Sequence, residues 1–362
     1  MVTQKQIAEM AGVSFATVSR ALTHSAKVRP DTLQRIRSAM QALGVNNCDD
    51  FFLGRSTLSK MVLVIVGDIA TEFFANIVIG ISDVLSAQGY SMVLCNSRYD
   101  SKVEMERLQS AQDCGYAGII MITAMETHEL VTFLQSAAIP IVLVNRYIRT
   151  LDIDVVRIDN YRGGYMAAQY LLEKGHRHIA HLAGPRNSAA PQDRLRGFAD
   201  AMKDNSIPFT AGDICYGDLS RESGKDFAQW LEGRDYTAAY IDNNYMAAGA
   251  VHQLQKMGRS VPKDISIICF DDSPLVNENG LNLTTISCDP QEMGQATAET
   301  LLKRMADPLG RRLKMIFSPQ LNLRGSVAPP NNAARLPARK KTGYPIWTAG
   351  FFNGNAAYCS TG

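Results

Sequence analysis

Three histidines lie close together in the sequence and are of a type that could bind a metal ion. His176, His178 and His181 form an H-x-H-x-x-H cluster. Zinc sites in proteins usually add cysteine or carboxylate ligands at set spacings, and no such set accompanies this cluster. We therefore interpret it as the start of a strand with solvated or hydrogen-bonded imidazoles, and expect no metal.

The remaining reactive residues also form no catalytic pattern. The chain has seven cysteines, an odd number, and no C-x-x-C pair, which favours free thiols in a reducing compartment over disulfides or zinc. It has no G-x-G-x-x-G turn, Walker loop or G-x-S-x-G elbow. We therefore expect no cofactor and no enzymatic activity.

Positive charge is concentrated at the start of the chain. Six Lys and Arg residues face two acidic residues in residues 1–45, so this segment carries +4 and the rest −2 of an overall +2. A small basic segment is typical of a nucleic-acid-binding module. The N-terminus lacks the apolar segment of a secretion signal, and no apolar stretch is long enough to span a membrane. We therefore expect a cytoplasmic protein.

The basic segment is predicted to contain three short helices. Thr3, followed three residues later by a glutamine, caps the first. Gly12 can adopt the positive φ that ends it, and Ser14 can cap a second helix, Phe15–Leu22. Pro30 suits the first position of a third. Two short helices joined by an Ala-Gly-Val-Ser turn and followed by a packing helix predict a helix-turn-helix.

From Met61 onward, apolar strands alternate with amphipathic helices, which predicts parallel sheets with helices on both faces. The predicted strands are Met61–Val66, Ser91–Cys95, Gly118–Ile122, Ile141–Val144, Val155–Ile158, Ile179–Leu182, Ala238–Ile241 and Ile265–Phe270. The predicted helices are Phe74–Gln88, Lys102–Cys114, Gly163–Lys174, Asp193–Asn205, Arg221–Leu231 and Met246–Met257. These are too many strands for one simple sheet, so we predict two doubly wound α/β subdomains with a ligand cleft between them.

The predicted domains follow from these patterns. Residues 1–45 form the helix-turn-helix domain and residues 46–60 a linker. Residues 61–327 form the core, with one subdomain made of about 61–159 and 290–327 and the other of about 160–289. Residues 328–362, rich in Pro, Gly and Asn, are predicted to be a flexible tail whose basic residues add nonspecific DNA affinity.

The segment IAEMAGVSFATVSRAL, residues 7–22, resembles the helix-turn-helix of the lactose-repressor family. Further stretches resemble landmarks of the same family in the core: LLEKGHRHIAHLAGP (171–185), DRLRGF (193–198), YIDNNYMAAGA (240–250), VPKDISIICFDD (261–272) and LTTI (283–286). The resemblance implies a periplasmic-binding-protein-like core and a homodimer. It also implies that the protein represses transcription by binding a palindromic double-stranded DNA operator, under the control of a small-molecule effector.

By this resemblance, the second helix reads DNA. Phe15 and Ala16 should meet base edges in the major groove, although Phe15 could instead be a core aromatic residue. Hydroxyl side chains and Arg20 suit phosphate contacts, and Arg20 could also reach a guanine. The residues expected to contact DNA are Thr3, Ser14, Phe15, Ala16, Thr17, Ser19, Arg20, His24 and Leu53.

The linker departs from the family pattern. Relatives place a short hinge helix here, whose leucine wedges into the minor groove. In this chain Asp49 and Asp50 would face DNA phosphates, which is unfavourable. Leu53 is the predicted wedge, with Phe51 or Phe52 as alternatives, and a linker without an ordered hinge is an equal alternative.

The resemblance also implies an effector site. The residues expected to contact the effector are Phe73, Phe74, Asn145, Arg194, Leu219, Asn243 and Asp271. Their amides, carboxylate, guanidinium and aromatic rings match a polyhydroxylated ring, so a sugar is the predicted effector. A purine or nucleoside is the alternative, and Arg194 and Asp271 could instead form a structural salt bridge. Whether the ligand releases or promotes DNA binding stays open.

Overall fold

The computed structural model describes residues 4–23, 28–43, 60–277 and 281–331. Three residues expected to contact DNA, Thr3, His24 and Leu53, lie outside these ranges. So do nearly all of the linker and the tail from residue 332. None of the helices within the described ranges has the length and apolar character needed to cross a membrane.

The basic segment forms the three predicted helices, α1 (Gln4–Ala11), α2 (Phe15–Thr23) and α3 (Pro30–Ala42). Gly12 has a φ of 61° and ends α1 in the left-handed conformation that favours glycine. Pro30 occupies the first position of α3, where its missing N–H costs nothing. The guanidinium of Arg35 donates to the carbonyl of Ala11 at 2.7 Å and so holds α3 against the end of α1.

The first sheet of the core contains six parallel strands. They are β1 (Met61–Val66), β2 (Ser91–Asn96), β3 (Gly118–Met121), β4 (Ile141–Val144), β5 (Asp154–Ile158) and β11 (Lys314–Phe317), in the order β11-β5-β4-β3-β1-β2. Four helices belong to this half: α4 (Glu72–Ala87), α5 (Ser101–Asp113), α6 (His128–Ser136) and α12 (Pro290–Ala306). The central strands are continuous runs of buried apolar residues, as expected of a sheet covered on both faces.

The second sheet contains β6 (Ile179–Ala183), β7 (Ile214–Tyr216), β8 (Ala238–Ile241), β9 (Ser266–Phe270), β10 (Thr284–Ser287) and β12 (Gln320–Asn322). Their order is β12-β10-β9-β8-β6-β7, and only β12 is antiparallel among these six strands. The helices of this half are α7 (Asn160–Glu173), α8 (Ala189–Asp204), α9 (Arg221–Trp230), α10 (Asn244–Lys256) and the short α11 (Pro274–Asn277). The prediction of a two-sheet α/β core behind an all-α N-terminal domain is confirmed.

One predicted subdomain boundary is wrong. Residues 290–327 were predicted to join the first subdomain throughout, but β12 pairs with β10 in the second sheet. Residues beyond β12 are held there too, because Arg324 binds Asp272 at 2.7 Å and Ser326 donates to the carbonyl of Ile267 at 2.6 Å. The chain therefore passes between the sheets after β5, after β10 and after β11.

Candidate functional site

The outward face of α2 carries the side chains predicted to read DNA. Val18 and Ala21 are buried against the other two helices, which turns Ala16 and Arg20 to the exposed side of the helix. Phe15 is 58% exposed, so the alternative that it is a core aromatic residue is wrong. The Phe15 ring is thus accessible for contact, and base contact by this residue remains a prediction.

Ser14 begins this helix as the sequence predicted. Its hydroxyl oxygen accepts from the backbone N–H of Thr17 at 3.1 Å and lies 2.8 Å from the hydroxyl of Thr17. Because the first N–H groups of a helix have no internal acceptor, this contact stabilises the start of α2. Ser19 is half-buried on the same helix. Phosphate contacts by these hydroxyl groups remain a prediction.

The residues predicted to contact the effector follow the carboxyl ends of strands, where α/β folds bind ligands. Asn145 comes directly after β4, and Asp271 directly after β9. These two residues and Leu219 have φ values of 65°, 66° and 72°. Left-handed backbone at non-glycine residues costs about 1–3 kcal/mol each and collects at functional sites. Three strained residues among seven candidates therefore mark this edge of the sheets as the candidate effector site.

Arg194, in the second turn of α8, is the most firmly held of these residues. It is 7% exposed, and its guanidinium carbon lies 3.6 Å from the centre of the Phe270 ring. Nε donates to Oδ1 of Asn160 at 2.8 Å, and Nη1 donates to the backbone carbonyl of Asp242. A guanidinium fixed by a ring on one face and two acceptors at its edge presents its remaining N–H groups in one direction.

Asp271 is the carboxylate of the site. No ion pair joins it to Arg194, although both residues are described, so the alternative of a structural salt bridge between them is not observed. Burial raises the pKa of the Asp271 carboxyl to about 6, against the opposing effect of the Arg194 charge, and the Asp242 charge raises it further. This carboxylate is therefore poorly solvated, and a ligand with hydroxyl groups would satisfy it.

The side chain of Asn243 stabilises the backbone around it. Its side-chain oxygen accepts from the N–H of Met246 at 2.9 Å and caps α10. Its amide nitrogen donates to the carbonyl of Leu219 at 3.0 Å. The residue is 8% exposed, so it holds the strained Leu219 loop in place, and contact with an effector stays a prediction.

Phe73 and Phe74 were predicted to form an apolar wall. They occupy the first turn of α4, and their rings meet edge to face at 5.9 Å. Both are under a tenth exposed and belong to the cluster of buried residues that also contains Phe270 and Cys288. They therefore lie in the core beside the site, and stacking on a ligand remains a prediction.

Direct contacts join the two halves of the core beside these residues. The hydroxyl of Tyr147, in the loop between β4 and β5, donates to Asp193 on α8. Arg149 from the same loop forms an ion pair with Asp193 at 2.5 Å. Tyr245 on α10 donates to the carbonyl of Ala70, after β1, at 3.4 Å. These contacts hold the two halves of the core together.

Arg146, Asn160 and Asp242 were not predicted, although each lies within two residues of a predicted residue or a strand end. Burial lowers the pKa of the Arg146 guanidinium, and the nearby Arg194 charge lowers it too, whereas Tyr99 and Glu104 act in the opposite direction. Arg146, after β4, and Arg194, on α8, belong to different halves of the core. The only feature of the sequence that pointed to Arg146 is its position directly after the predicted residue Asn145.

The three clustered histidines serve separate structural contacts. His176 lies between the hydroxyl of Thr237 and the carbonyl of Ala328, at 2.9 Å from each. His178 is largely exposed beside Asp235, at 3.4 Å. Each imidazole thus has its own partner, and within the described residues no group of three metal-binding side chains converges.

Two family models match this chain. One described as "Bacterial regulatory proteins, lacI family" matches residues 3–45, and one described as "Periplasmic binding protein-like domain" matches residues 168–327. The HTH-type transcriptional regulator DegA of Bacillus subtilis is 30% identical over 331 residues, which cover 90% of this chain and 98% of DegA.

Solved structures give the same result. A complex of the transcriptional regulator CelR with cellobiose has a TM-score of 0.70 and 27% identity, covering 90% of this chain and all of that one. A lacI-family regulator from Enterococcus faecium with bound ribose has a TM-score of 0.67 and 29% identity, covering 75% of this chain and all of that one. The similarity therefore spans the helix-turn-helix and both halves of the core.

Proposed function

We propose that this chain, which belongs to the lacI family of bacterial regulatory proteins and regulates transcription by binding DNA, is controlled by a sugar bound in the cleft of its core. It would act in the cytoplasm as a homodimer on a palindromic operator, with α2 in the major groove, and would carry out no catalysis. Two structurally similar regulators hold a sugar, cellobiose in one and ribose in the other.

The arrangement around Arg194 carries the proposal. Its guanidinium is fixed from one side by Asn160, Phe270 and the Asp242 carbonyl, so it can donate to neighbouring hydroxyl oxygens without first losing side-chain entropy. Asp271 supplies a poorly solvated acceptor for hydroxyl hydrogens. Paired donors and acceptors at fixed positions are what a polyhydroxylated ring requires.

Sugar binding would reach DNA through the angle between the two halves of the core. A bound ligand favours one closure angle, and the dimer converts that angle into the spacing of its two helix-turn-helix domains. Since two half-sites are read together only at one spacing, ligand binding changes operator affinity. The direction of that change is to be measured.

The first test is a thermal-shift screen of the full chain with monosaccharides, disaccharides and purine nucleosides. A ligand that binds only the native state raises the melting temperature in proportion to its occupancy. We expect a shift with at least one sugar. The shift should disappear in Arg194→Gln and persist in Lys203→Gln, a control that removes an exposed positive charge from the same helix. A shift with nucleosides alone would reject the sugar.

The second test measures operator binding with and without the identified sugar. We expect the operator dissociation constant to change severalfold in one direction, because allosteric couplings in proteins are typically about 1–3 kcal/mol. Equal operator affinity at saturating sugar would reject control by this ligand, even if the thermal shift had shown that it binds.

A further inference from the structure

Next to Arg194, a fully buried hydrogen bond joins β6 to the carboxyl end of β8. His181 lies on β6 and Asp242 directly follows β8, and neither side chain has any exposed surface. Nε2 of His181 lies 3.0 Å from Oδ1 of Asp242, and Oδ2 accepts from the backbone N–H of Gly184 at 2.8 Å. A buried charge is tolerated when its hydrogen bonds are satisfied, and both carboxylate oxygens are.

The surroundings of His181 indicate that its ring is neutral. The imidazole packs between aromatic rings, 4.6 Å from the centre of Tyr240 and 5.2 Å from that of Phe198. Within the described residues, its Nδ1 atom has no hydrogen-bond partner. A protonated ring would bury an unpaired N–H there, whereas a neutral ring donates through Nε2 alone. The negative charge of Asp242 is therefore not cancelled by His181.

Asp242 contacts Arg194 through its own backbone. Its carbonyl accepts from Nη1 of Arg194, so the side-chain bonds that fix residue 242 also fix the acceptor. Burial and then the charge of Asp242 raise the pKa of the Tyr240 hydroxyl, with smaller effects from Arg194 and Asp271. Arg194 is thus joined to residue 242 through the main chain, one bond path away from the buried Asp242 carboxylate.

We propose that Asp242, clamped by His181 and Gly184, is a positioning residue for effector recognition: it orients Arg194 and leaves Asp271 available for the ligand. The inference rests on the proposed function, in which Arg194 and Asp271 bind the effector. Asp242 itself is fully buried and does not touch the ligand. The role of Asp242 is to hold the Arg194 guanidinium in one position and to supply a negative charge that offsets the charge of Arg194.

This role predicts a linked change at Asp271. The charges that act on that carboxyl are those of Arg194 on α8 and Asp242 after β8, and Asp271 in turn raises the pKa of Cys288, after β10. Asp242 helps to raise the pKa of Asp271. Removing the Asp242 charge should therefore allow Asp271 to ionise at lower pH, and a residue that merely filled space would have no such effect.

The test is Asp242→Asn in the full chain. Asparagine keeps the shape and removes the charge, and its side-chain oxygen can still accept from the N–H of Gly184. In the sugar-free protein, we expect NMR to show the Asp271 titration midpoint moving below about 6 and the Arg194 Nε–H exchanging severalfold faster. The sugar found by the thermal-shift screen should bind roughly tenfold more weakly at pH 7, which corresponds to about 1.4 kcal/mol.

Two further changes separate positioning from stability. His181→Gln, whose amide can still donate to Asp242, should retain most of the sugar affinity, whereas His181→Leu should lose it. Asp154→Asn removes another fully buried carboxylate, bonded to Arg304 and to the N–H of Leu313. This control should lower stability without moving the Asp271 midpoint.

The outcomes distinguish the two proposals. If no sugar binds the wild-type protein, the proposed function fails, while the NMR signals of Arg194 and Asp271 in the sugar-free protein still decide the role of Asp242. Unchanged Arg194 exchange and an unchanged Asp271 midpoint in folded Asp242→Asn would overturn the inference. If Asp242→Asn does not fold, Arg194 exchange and the Asp271 midpoint are compared between His181→Gln and His181→Leu. That comparison then decides the role of Asp242.

Discussion

The raised pKa of Asp271 makes effector binding depend on pH within an accessible range. If sugar hydroxyls donate to this carboxyl, only its ionised form binds. The apparent dissociation constant then increases as the carboxyl is protonated. Because burial raises the pKa to about 6, the carboxyl is ionised above about pH 7, and affinity is lost as the pH falls through 6.

The size of this effect follows from the titration. Between pH 7 and pH 5, a group with a pKa of about 6 changes from about nine-tenths ionised to about one-tenth, so affinity should fall about tenfold. An exposed aspartate with a pKa near 3.9 would lose less than about a tenth of its affinity over the same interval. The two cases are easily distinguished by calorimetry or by tryptophan fluorescence.

Two variants identify the titrating group. Asp271→Asn should bind weakly and with little dependence on pH, whereas Asp235→Asn removes an exposed acid of the same half and should keep the wild-type profile. Since a raised carboxyl pKa stabilises the fold only at low pH, Asp271→Asn should also raise the free energy of unfolding at pH 7, by at most about 3 kcal/mol. A flat wild-type profile, or an unchanged profile in Asp271→Asn, would refute the reasoning.

Two further changes test the DNA-reading face and the core. Arg20→Ala should weaken specific binding to an operator selected from random duplexes by about 5- to 150-fold per half-site, because one base contact contributes about 1–3 kcal/mol. Binding is measured by fluorescence anisotropy at near-physiological salt. Arg37→Ala, with the same charge loss on α3, should retain specific binding, and undiminished affinity in Arg20→Ala would contradict the assignment. Arg304→Met should destabilise the core by about 3–5 kcal/mol in urea unfolding, since it leaves the buried carboxylate of Asp154 unpaired. Arg312→Met, which removes a 41% exposed neighbour at 3.7 Å from the same carboxylate, should cost under about 1 kcal/mol, and equal losses would contradict this.

The parts of the fold that the sequence predicted are those with strong local patterns. All eight predicted strands occur, because each is a run of apolar residues long enough to be recognised. The short strands β7, β10, β11 and β12 were not predicted. β10 reads Thr-Thr-Ile-Ser and is fully buried, so neighbouring strands, and not its own composition, make it part of the sheet.

The site was predictable to a similar extent. The positions of Asn145 and Asp271 follow from strand ends, which are visible in the sequence. The partners of Arg194 are not, because Asn160 and Asp242 lie 34 and 48 residues away along the chain. The histidine cluster shows the same limit: His181 has its carboxylate partner 61 residues later, where no local motif could reveal it.

The proposed link between ligand binding and closure of the core has a physical basis in the contacts of α8. Asp193 and Arg194 are consecutive on α8. Asp193 contacts Tyr147 and Arg149 in the opposite half of the core, whereas Arg194 faces the candidate effector site. Helices α7 and α8 pack closely at Arg194. A Cβ atom on Gly164 of α7 would lie 1.9 Å from the carbonyl oxygen of Arg194, so no side chain fits between the helices there. Close-packed interiors transmit strain, so an effector that contacted Arg194 as proposed and displaced it would also disturb the Asp193 contact with the opposite half of the core.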